Sequence, residues 1–218
     1  MRGLVRTFLV AAVIVVVVGI VYALPVGRCI YNPFSESDIE APCRTAIGRQ
    51  YFPPEMRADA AFRLGYILNA RGLKAEALKA FTQSMDLVPT SARAQFEVGM
   101  GYFGQNEFAT ANSYLSAYLN NTAENFGIHQ RNYIEAHRYR GWSRFQTGQL
   151  DAAVADYNEV LTKVPADGNA HIARGQIFVN QGRLPEALMD FEAGILAEPN
   201  NTAAIALRAA VLGRLGRK

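Results

Sequence analysis

A period of about 34 residues is the feature that most constrains how this 218-residue chain folds. One marker glycine recurs at this spacing within two pairs: Gly65 with Gly99, and Gly141 with Gly175. A glycine or asparagine follows seven residues after each marker, an alanine follows five residues later, and a proline closes three of the four units. Sequence repeats of this length hold two helices each, so the period predicts a stack of helix pairs.

Each repeat contains two amphipathic stretches around a glycine-centred break, for example Asp59–Ala70 and Lys74–Leu87. Neither helix pair buries its apolar face alone, so neighbouring pairs stack and share a core. The last helix has little polar surface, so it either packs deeply or meets a partner. The predicted repeat domain spans 58–218, divided into 58–91, 92–125, 134–167, 168–201 and a capping helix at 202–217.

These markers resemble the tetratricopeptide repeat family, which has small residues at the eighth and twentieth places, a large apolar residue at the twenty-fourth and proline at the thirty-second. The second repeat departs from this pattern, because Asn121-Thr122-Ala123 stands where the proline is expected. The resemblance covers about three quarters of the chain. It implies an all-α fold, a right-handed superhelical solenoid of helix-turn-helix repeats that binds proteins.

The resemblance also implies a binding groove lined by the first helix of each repeat. Seven of the twelve residues at the inward places are aromatic and three are arginine. An apolar and cationic groove suits an extended peptide or a partner helix. The alternative is that some aromatics, such as Phe62 or Phe96, belong to the core. The predicted groove residues are Phe62, Arg63, Tyr66, Asn69, Arg93, Phe96, Met100, Phe103, Arg138, Tyr139, Trp142 and Phe145.

The N-terminal segment contains 21 consecutive uncharged residues between Arg6 and Arg28. As a helix it would extend roughly 32 Å, enough to cross the hydrocarbon core of a bilayer. We therefore predict an N-terminal transmembrane helix, a signal-anchor over residues 1–27. A cleavable signal peptide is the alternative, because Val21-Tyr22-Ala23 has small residues where a peptidase needs them. The apolar stretch is longer than the usual core of such a peptide.

The two cysteines, Cys29 and Cys43, close a 15-residue loop just after this segment. Two lone thiols can stay reduced, but we expect a disulfide, since a zinc site would lack ligands near them. A disulfide needs an oxidising compartment. We therefore expect a single-pass protein of the inner (plasma) membrane with a periplasmic C-terminal domain. Residues 28–57 contain several helix-interrupting prolines and predict an extended tether.

The formal net charge of +3 comes from Arg2, Arg6 and Arg28, since the rest of the chain carries basic and acidic side chains in equal number. This balance gives no global support for nucleic-acid binding. His137 and His171 share one repeat position. Metal binding or general-base catalysis would need partner residues that recur with them, and we find none, so we expect both histidines to pack between helices. No motif suggests a nucleophile, a phosphate loop or a metal-binding helix, so we expect no enzyme, no cofactor and no metal.

A second polar pattern follows the same period, because Arg140, Arg174 and Arg208 occupy one position in three successive repeats. Asp156 and Asp190 stand sixteen residues after the first two arginines. One interpretation is an arginine ladder that binds an acidic ligand. The other, which we favour, is an ion pair within each repeat at a partly buried helix contact, repeated because the geometry repeats.

Together these features predict a membrane-anchored scaffold on the periplasmic side that assembles or stabilises a membrane protein complex. The alternative is a periplasmic peptide-binding chaperone or assembly factor for exported proteins. The expected partners are proteins, with the membrane contacted through the N-terminal helix. A scaffold should copurify with one complex, whereas a chaperone should bind many clients transiently.

Overall fold

The computed structural model describes residues 24–31, 39–122 and 126–216. Every regular element in these ranges is an α-helix, and the chain forms two compact units, Met1–Val98 and Gly99–Lys218. Most of the predicted anchor over 1–27 lies outside the described residues. Among the helices that are described, none has the length and apolar content needed to cross a bilayer.

Unit 1 is built from two short N-terminal helices followed by the first helix pair. Helices α1 and α2 pack on each other and on α3, and α3 packs on α4. Leu64, Leu68 and Phe81 are buried in this unit. The helices are α1 (Pro25–Tyr31), α2 (Glu40–Gly48), α3 (Pro54–Ala70) and α4 (Lys74–Leu87), followed by α5 (Ala92–Gly104), within which the boundary between the units falls.

The prediction of an extended tether over 28–57 is wrong for the residues that the structure describes. Pro42 lies in the first turn of α2, where a residue without an N–H group breaks no helical hydrogen bond. Val26 and Ile47 are buried, so α1 and α2 are part of the core of unit 1. The last residues of the predicted anchor, which include Val26, therefore belong to the folded unit.

A disulfide joins Cys29 of α1 to Cys43 of α2, and both side chains are completely buried. Replacing both cysteines with alanine is expected to lower the free energy of unfolding by about 3 kcal/mol, the chain-entropy value for a 15-residue loop. Thermal unfolding with and without dithiothreitol measures this effect, and the double variant should not respond to the reductant. Equal melting temperatures for the wild type and the double variant would contradict the expectation.

Unit 2 contains the remaining helices, and from α6 onward each helix packs on the next one along the chain. One core cluster includes Tyr157, Val160 and Ile177, and a second includes Phe178 and Phe191. Helix α7 begins at Phe126, eight residues before the predicted third repeat. The helices are α6 (Phe108–Thr122), α7 (Phe126–Gln146), α8 (Leu150–Lys163), α9 (Gly168–Asn180), α10 (Leu184–Ala197) and α11 (Thr202–Arg214).

The break inside each repeat is a turn that contains one residue with a positive φ. Glycine adopts this left-handed conformation freely, and asparagine tolerates it better than most residues. This requirement explains why the sequence alternates only between these two types at the position seven residues after the marker glycine. The values are 77° at Gly72, 62° at Asn106, 77° at Gly148 and 74° at Gly182.

The marker glycines lie where the two helices of a repeat cross. A Cβ atom on Gly65 would lie 2.5 Å from Cε1 of Phe81, and one on Gly175 would lie 2.7 Å from Cε1 of Phe191. These distances leave no space for a side chain. The recurrence of glycine at the marker position is therefore a steric requirement of the helix crossing.

Candidate functional site

In unit 1 three of the predicted groove residues, Phe62 and Tyr66 on α3 and Arg93 on α5, lie together and form what we call the unit 1 cluster. The rings of Phe62 and Tyr66 meet edge to face with centroids 5.1 Å apart. The guanidinium carbon of Arg93 lies 4.6 Å from the centroid of the Phe62 ring, within cation–π range. Tyr66 is 49% exposed, so the cluster presents aromatic surface to solvent.

The polar groups of the unit 1 cluster already have partners. Arg93 forms an ion pair with Asp59, and the hydroxyl of Tyr66 donates a hydrogen bond of 2.8 Å to Oε1 of Glu97. Burial, helped by the bond to Glu97, raises the pKa of Tyr66 to about 12. Burial also raises the pKa of Glu97. These contacts fix the orientation of the rings before any ligand binds.

A cavity of about 370 Å³ lies beside the unit 1 cluster. Its walls include Ile30 from α1 and Ile39 from the start of α2, together with Phe62 and Tyr66. Nη1 of Arg63, another predicted groove residue, donates a hydrogen bond of 2.9 Å to the carbonyl oxygen of Ile30. The N-terminal helices thus complete a pocket in the size range of small-ligand sites. Sequence reasoning missed this wall because it treated the segment as a tether.

In unit 2 the groove residues form a second group, the unit 2 cluster (Phe103, Tyr139, Trp142 and Phe145). The rings of Phe103 and Tyr139 meet edge to face at 4.7 Å, and those of Trp142 and Phe145 lie 5.4 Å apart. All four side chains are half-buried. Phe145 also packs against the core, so its ring is part of the core as well as of the partly exposed aromatic surface.

Arg138, predicted as a cation of the groove, is held by two acidic partners. It donates a 2.7 Å hydrogen bond to Glu135 and forms an ion pair with Asp167. Asp167 in turn caps α9 by accepting a 3.0 Å hydrogen bond from the backbone N–H of Ala170. Arg138 therefore ties α7 to the start of α9.

One predicted groove residue belongs to the core. Phe96 is only 8% exposed, as expected for the alternative in which some aromatics pack inside. The neighbouring side chains of Ala94 and Val98 are also buried, so α5 is covered on more than one face. Of the other predicted positions, Asn69 is exposed and Met100 is half-buried.

The recurring arginines and aspartates form the ion pairs that we favoured over a ligand-binding ladder. Nη2 of Arg140 lies 2.6 Å from Oδ1 of Asp156, and Nη2 of Arg174 lies 2.7 Å from Oδ1 of Asp190. Each pair joins the two helices of its repeat. The interpretation as a structural ion pair is confirmed for these two repeats.

The expectation that no partner recurs with the histidines is wrong. Nδ1 of His137 lies 2.8 Å from Asp156, and Nδ1 of His171 lies 2.9 Å from Asp190. The signal was present in the sequence, since each aspartate follows its histidine by 19 residues. This spacing is recognised only when both the first and the second helices of successive repeats are aligned with each other.

Asp156 and the side chains that bond to it, which we call the Asp156 cluster (Asp156, His137, Arg140 and Arg144), have a structural role. Asp156 is 1% exposed and accepts hydrogen bonds from His137, Arg140 and Arg144, the last at 2.8 Å. Burial opposes ionisation of Asp156, but the hydrogen bonds from His137 and Arg140 outweigh it and hold its pKa below the usual value. A carboxylate that is fully enclosed and fully bonded has no access to a substrate. Within the described ranges, no cluster of histidine, cysteine or acidic residues is arranged to hold a metal ion.

Two segments of the chain match models of the tetratricopeptide repeat, residues 59–91 and 139–204. Over 127 residues, 58% of this chain, the sequence is 24% identical to the anaphase-promoting complex subunit CDC16 of Saccharomyces cerevisiae. The matched region spans 15% of that protein.

Solved structures of similar fold include YrrB, described as a TPR protein with an unusual peptide-binding site (18% identity, TM-score 0.63, covering 74% of this chain and 79% of YrrB). MamA from Desulfovibrio magneticus RS-1 is similar at 14% identity with a TM-score of 0.65, covering 73% of this chain and 85% of that one. At these identities the likeness shows the fold alone. It confirms the predicted all-helical solenoid of repeats.

Proposed function

Because this chain carries tetratricopeptide repeats, which bind protein partners such as peptides or subunits, we propose that it is a membrane-anchored interaction scaffold. In this proposal its repeats face the periplasm and assemble or stabilise a membrane protein complex. The observation that carries the binding role is the partly exposed aromatic surface of the unit 1 and unit 2 clusters.

The unit 1 cluster has the properties of a preorganised binding surface. Tyr66 is held by Glu97 and Phe62 is covered by Arg93. Because these side chains are already ordered, ligand binding would cost little of their rotamer entropy. The adjoining cavity is lined by apolar side chains together with the charged residues Asp59, Arg63 and Arg93. Aromatic side chains of this kind supply much of the energy at protein interfaces.

The location rests on separate observations. The uncharged residues 7–23, which precede the described part of the chain, number 17, and a helix of that length is at the lower end of the range that spans a bilayer. The disulfide between Cys29 and Cys43 suits an oxidising compartment such as the periplasm. An anchor at this point would hold the repeats near the membrane and raise their effective concentration for membrane-bound partners.

A periplasmic chaperone or assembly factor for exported proteins is the second candidate, and one observation favours it. Arg93 is paired with Asp59, and Arg138 is paired with Glu135 and Asp167. The surface left for a ligand is therefore mainly apolar. Apolar recognition with few free polar contacts tolerates many client sequences.

Mild solubilisation of the full chain, followed by mass spectrometry of what copurifies, tests the proposal. We expect one dominant set of partners at stoichiometric amounts, reduced for a chain that begins at Leu24, the first residue that the structure describes. A broad and substoichiometric set that the shorter chain retains would instead support the chaperone. Recovery of no protein partner by either chain would contradict both candidates.

Trp142→Ala should weaken partner recovery by about tenfold or more, since truncation of an interface tryptophan commonly removes about 2 kcal/mol or more of binding energy. Tyr51→Ala is the matched control, because Tyr51 is a 65% exposed aromatic residue outside both clusters. Thermal unfolding of each variant separates lost binding from lost folding. Full recovery by a folded Trp142→Ala variant would exclude the unit 2 cluster as the binding surface.

A further inference from the structure

Helix α11 has the structure of a first helix of a repeat. It has the same length as α9 and lies one repeat period further along the chain. The side chains of Asp167 and Asn201 cap the two helices in the same way, each accepting a 3.0 Å hydrogen bond from a backbone N–H three residues later. Gly216 has a φ of 69° after α11, as Gly182 has a φ of 74° after α9. The same turn therefore ends both helices.

In the preceding repeat, α10 covers α9 through two main contacts. Phe191 packs over Gly175, and Asp190 accepts hydrogen bonds from Arg174 at 2.7 and 2.8 Å. His171 also contacts Asp190, and Phe178 joins the same core cluster as Phe191. These residues define which face of a first helix receives its second helix.

No residue that the structure describes covers the same face of α11. Ile205, the counterpart of His171, is 43% exposed, and Ala209, the counterpart of the buried Gly175, is also exposed. Arg208 corresponds to Arg174, but its closest carboxylate oxygen, on Glu192, lies 3.9 Å from Nε. That Nε is buried and has no hydrogen-bond partner. The face thus combines apolar surface with an incompletely satisfied cation.

We propose that this face of α11 docks an amphipathic helix of a partner protein. The helix places a carboxylate against Arg208, as Asp156 and Asp190 are placed against their arginines. It places a small branched apolar side chain against Ala209. Helix α11 contains two arginines and no acidic residue, so its charge complements an acidic helix.

The size limit follows from the marker position. In all four repeats a Cβ on the marker glycine would lie 3.0 Å or less from the side chain opposite, whether phenylalanine, leucine or tyrosine. Ala209 carries that Cβ atom. A helix that docks at the same separation therefore needs a side chain smaller than leucine at this position, such as valine.

A synthetic peptide with the sequence of α10 (Leu184–Ala197) and the change Phe191→Val is a direct probe. A crosslink between positions 192 and 196, both exposed in the protein, holds the peptide helical, since a free helix of this length is marginal in water. We expect saturable binding by fluorescence anisotropy. The peptide that retains Phe191 should bind more weakly.

The ion pair is tested from both sides. Asp190→Asn in the peptide and Arg208→Gln in the protein should each weaken binding by about tenfold, and the two changes together should add little more. Arg214→Gln, on another face of α11, is the matched control and should leave the affinity unchanged. Circular dichroism melting confirms that each protein variant is folded.

The outcomes decide the proposal. Absence of saturable binding at about 1 mM crosslinked peptide would overturn it, since a Kd above about 1 mM corresponds to less than about 4 kcal/mol of binding free energy. Equal affinity for the Asp190→Asn peptide would overturn the role of Arg208. Tighter binding of the Phe191 peptide would overturn the size limit at Ala209.

Discussion

Replacing Asp156 with alanine is expected to destabilise the protein by about 3–5 kcal/mol, because two arginines and a histidine lose the carboxylate that balances them in a buried setting. Arg140 and Arg144 have side chains that are only 12% and 20% exposed, so water cannot take over the lost contacts fully. Chemical denaturation by urea, followed by circular dichroism, measures the difference.

The control for this experiment is Asp86→Ala, which removes a carboxylate from an exposed position on α4. An exposed substitution of this kind should change the free energy of unfolding by less than about 0.5 kcal/mol. If both variants unfold at the same urea concentration as the wild type, the Asp156 cluster does not hold the helices together.

The advantage of the wild type over an Asp156→Asn variant should depend on pH. The folded-state pKa of Asp156 lies below its ordinary value, so the stabilisation is present above about pH 4 and is lost as the pH falls through the folded-state pKa. Urea midpoints of the two proteins should therefore converge in acid. A difference that stays constant down to acid unfolding would show that the charge of Asp156 is unimportant.

Gly175→Leu is expected to destabilise the protein by about 3 kcal/mol or to prevent folding of the last repeat. The first added carbon already lies 2.7 Å from the Phe191 ring, and Phe191 is completely buried and has no space to move. Thermal unfolding of the variant measures the effect. An unchanged melting temperature would show that the two helices do not cross at Gly175.

Gly213→Leu is the matched control, since no atom other than those of the adjacent residues and the nearby backbone of its own helix lies within 4 Å of a Cβ built there. Leucine has a higher helix propensity than glycine, so this variant should be as stable as the wild type or slightly more stable. A loss of stability equal to that of Gly175→Leu would mean that leucine itself, and not the crossing, is responsible.

The repeat register could be predicted from the sequence because its causes are local and recur. Glycine is required where helices cross, as at Gly65 and Gly175, and a left-handed residue is required at each turn, as at Gly148. The Arg140–Asp156 pair was predictable for the same reason, since a repeated spacing implies a repeated contact.

The exposure of the predicted groove residues followed only partly from the sequence. Tyr66 is exposed and Phe62 and Trp142 are half-buried, whereas Phe96 is buried and Arg138 is paired with two carboxylates. Position within a repeat indicates which way a side chain points. It does not indicate what other elements cover that side chain.

The sequence by itself therefore determined the helix pairs, their turns and their crossings, because backbone conformation and close packing act within one repeat. Tertiary structure alone decided that α1 and α2 are folded parts of unit 1, where Ile30 and Ile39 line a cavity. It also decided that Arg144 joins Arg140 on Asp156 and that one face of α11 is not covered by the residues described. No repeated spacing in the sequence records these features, because they depend on how separate helices pack in three dimensions.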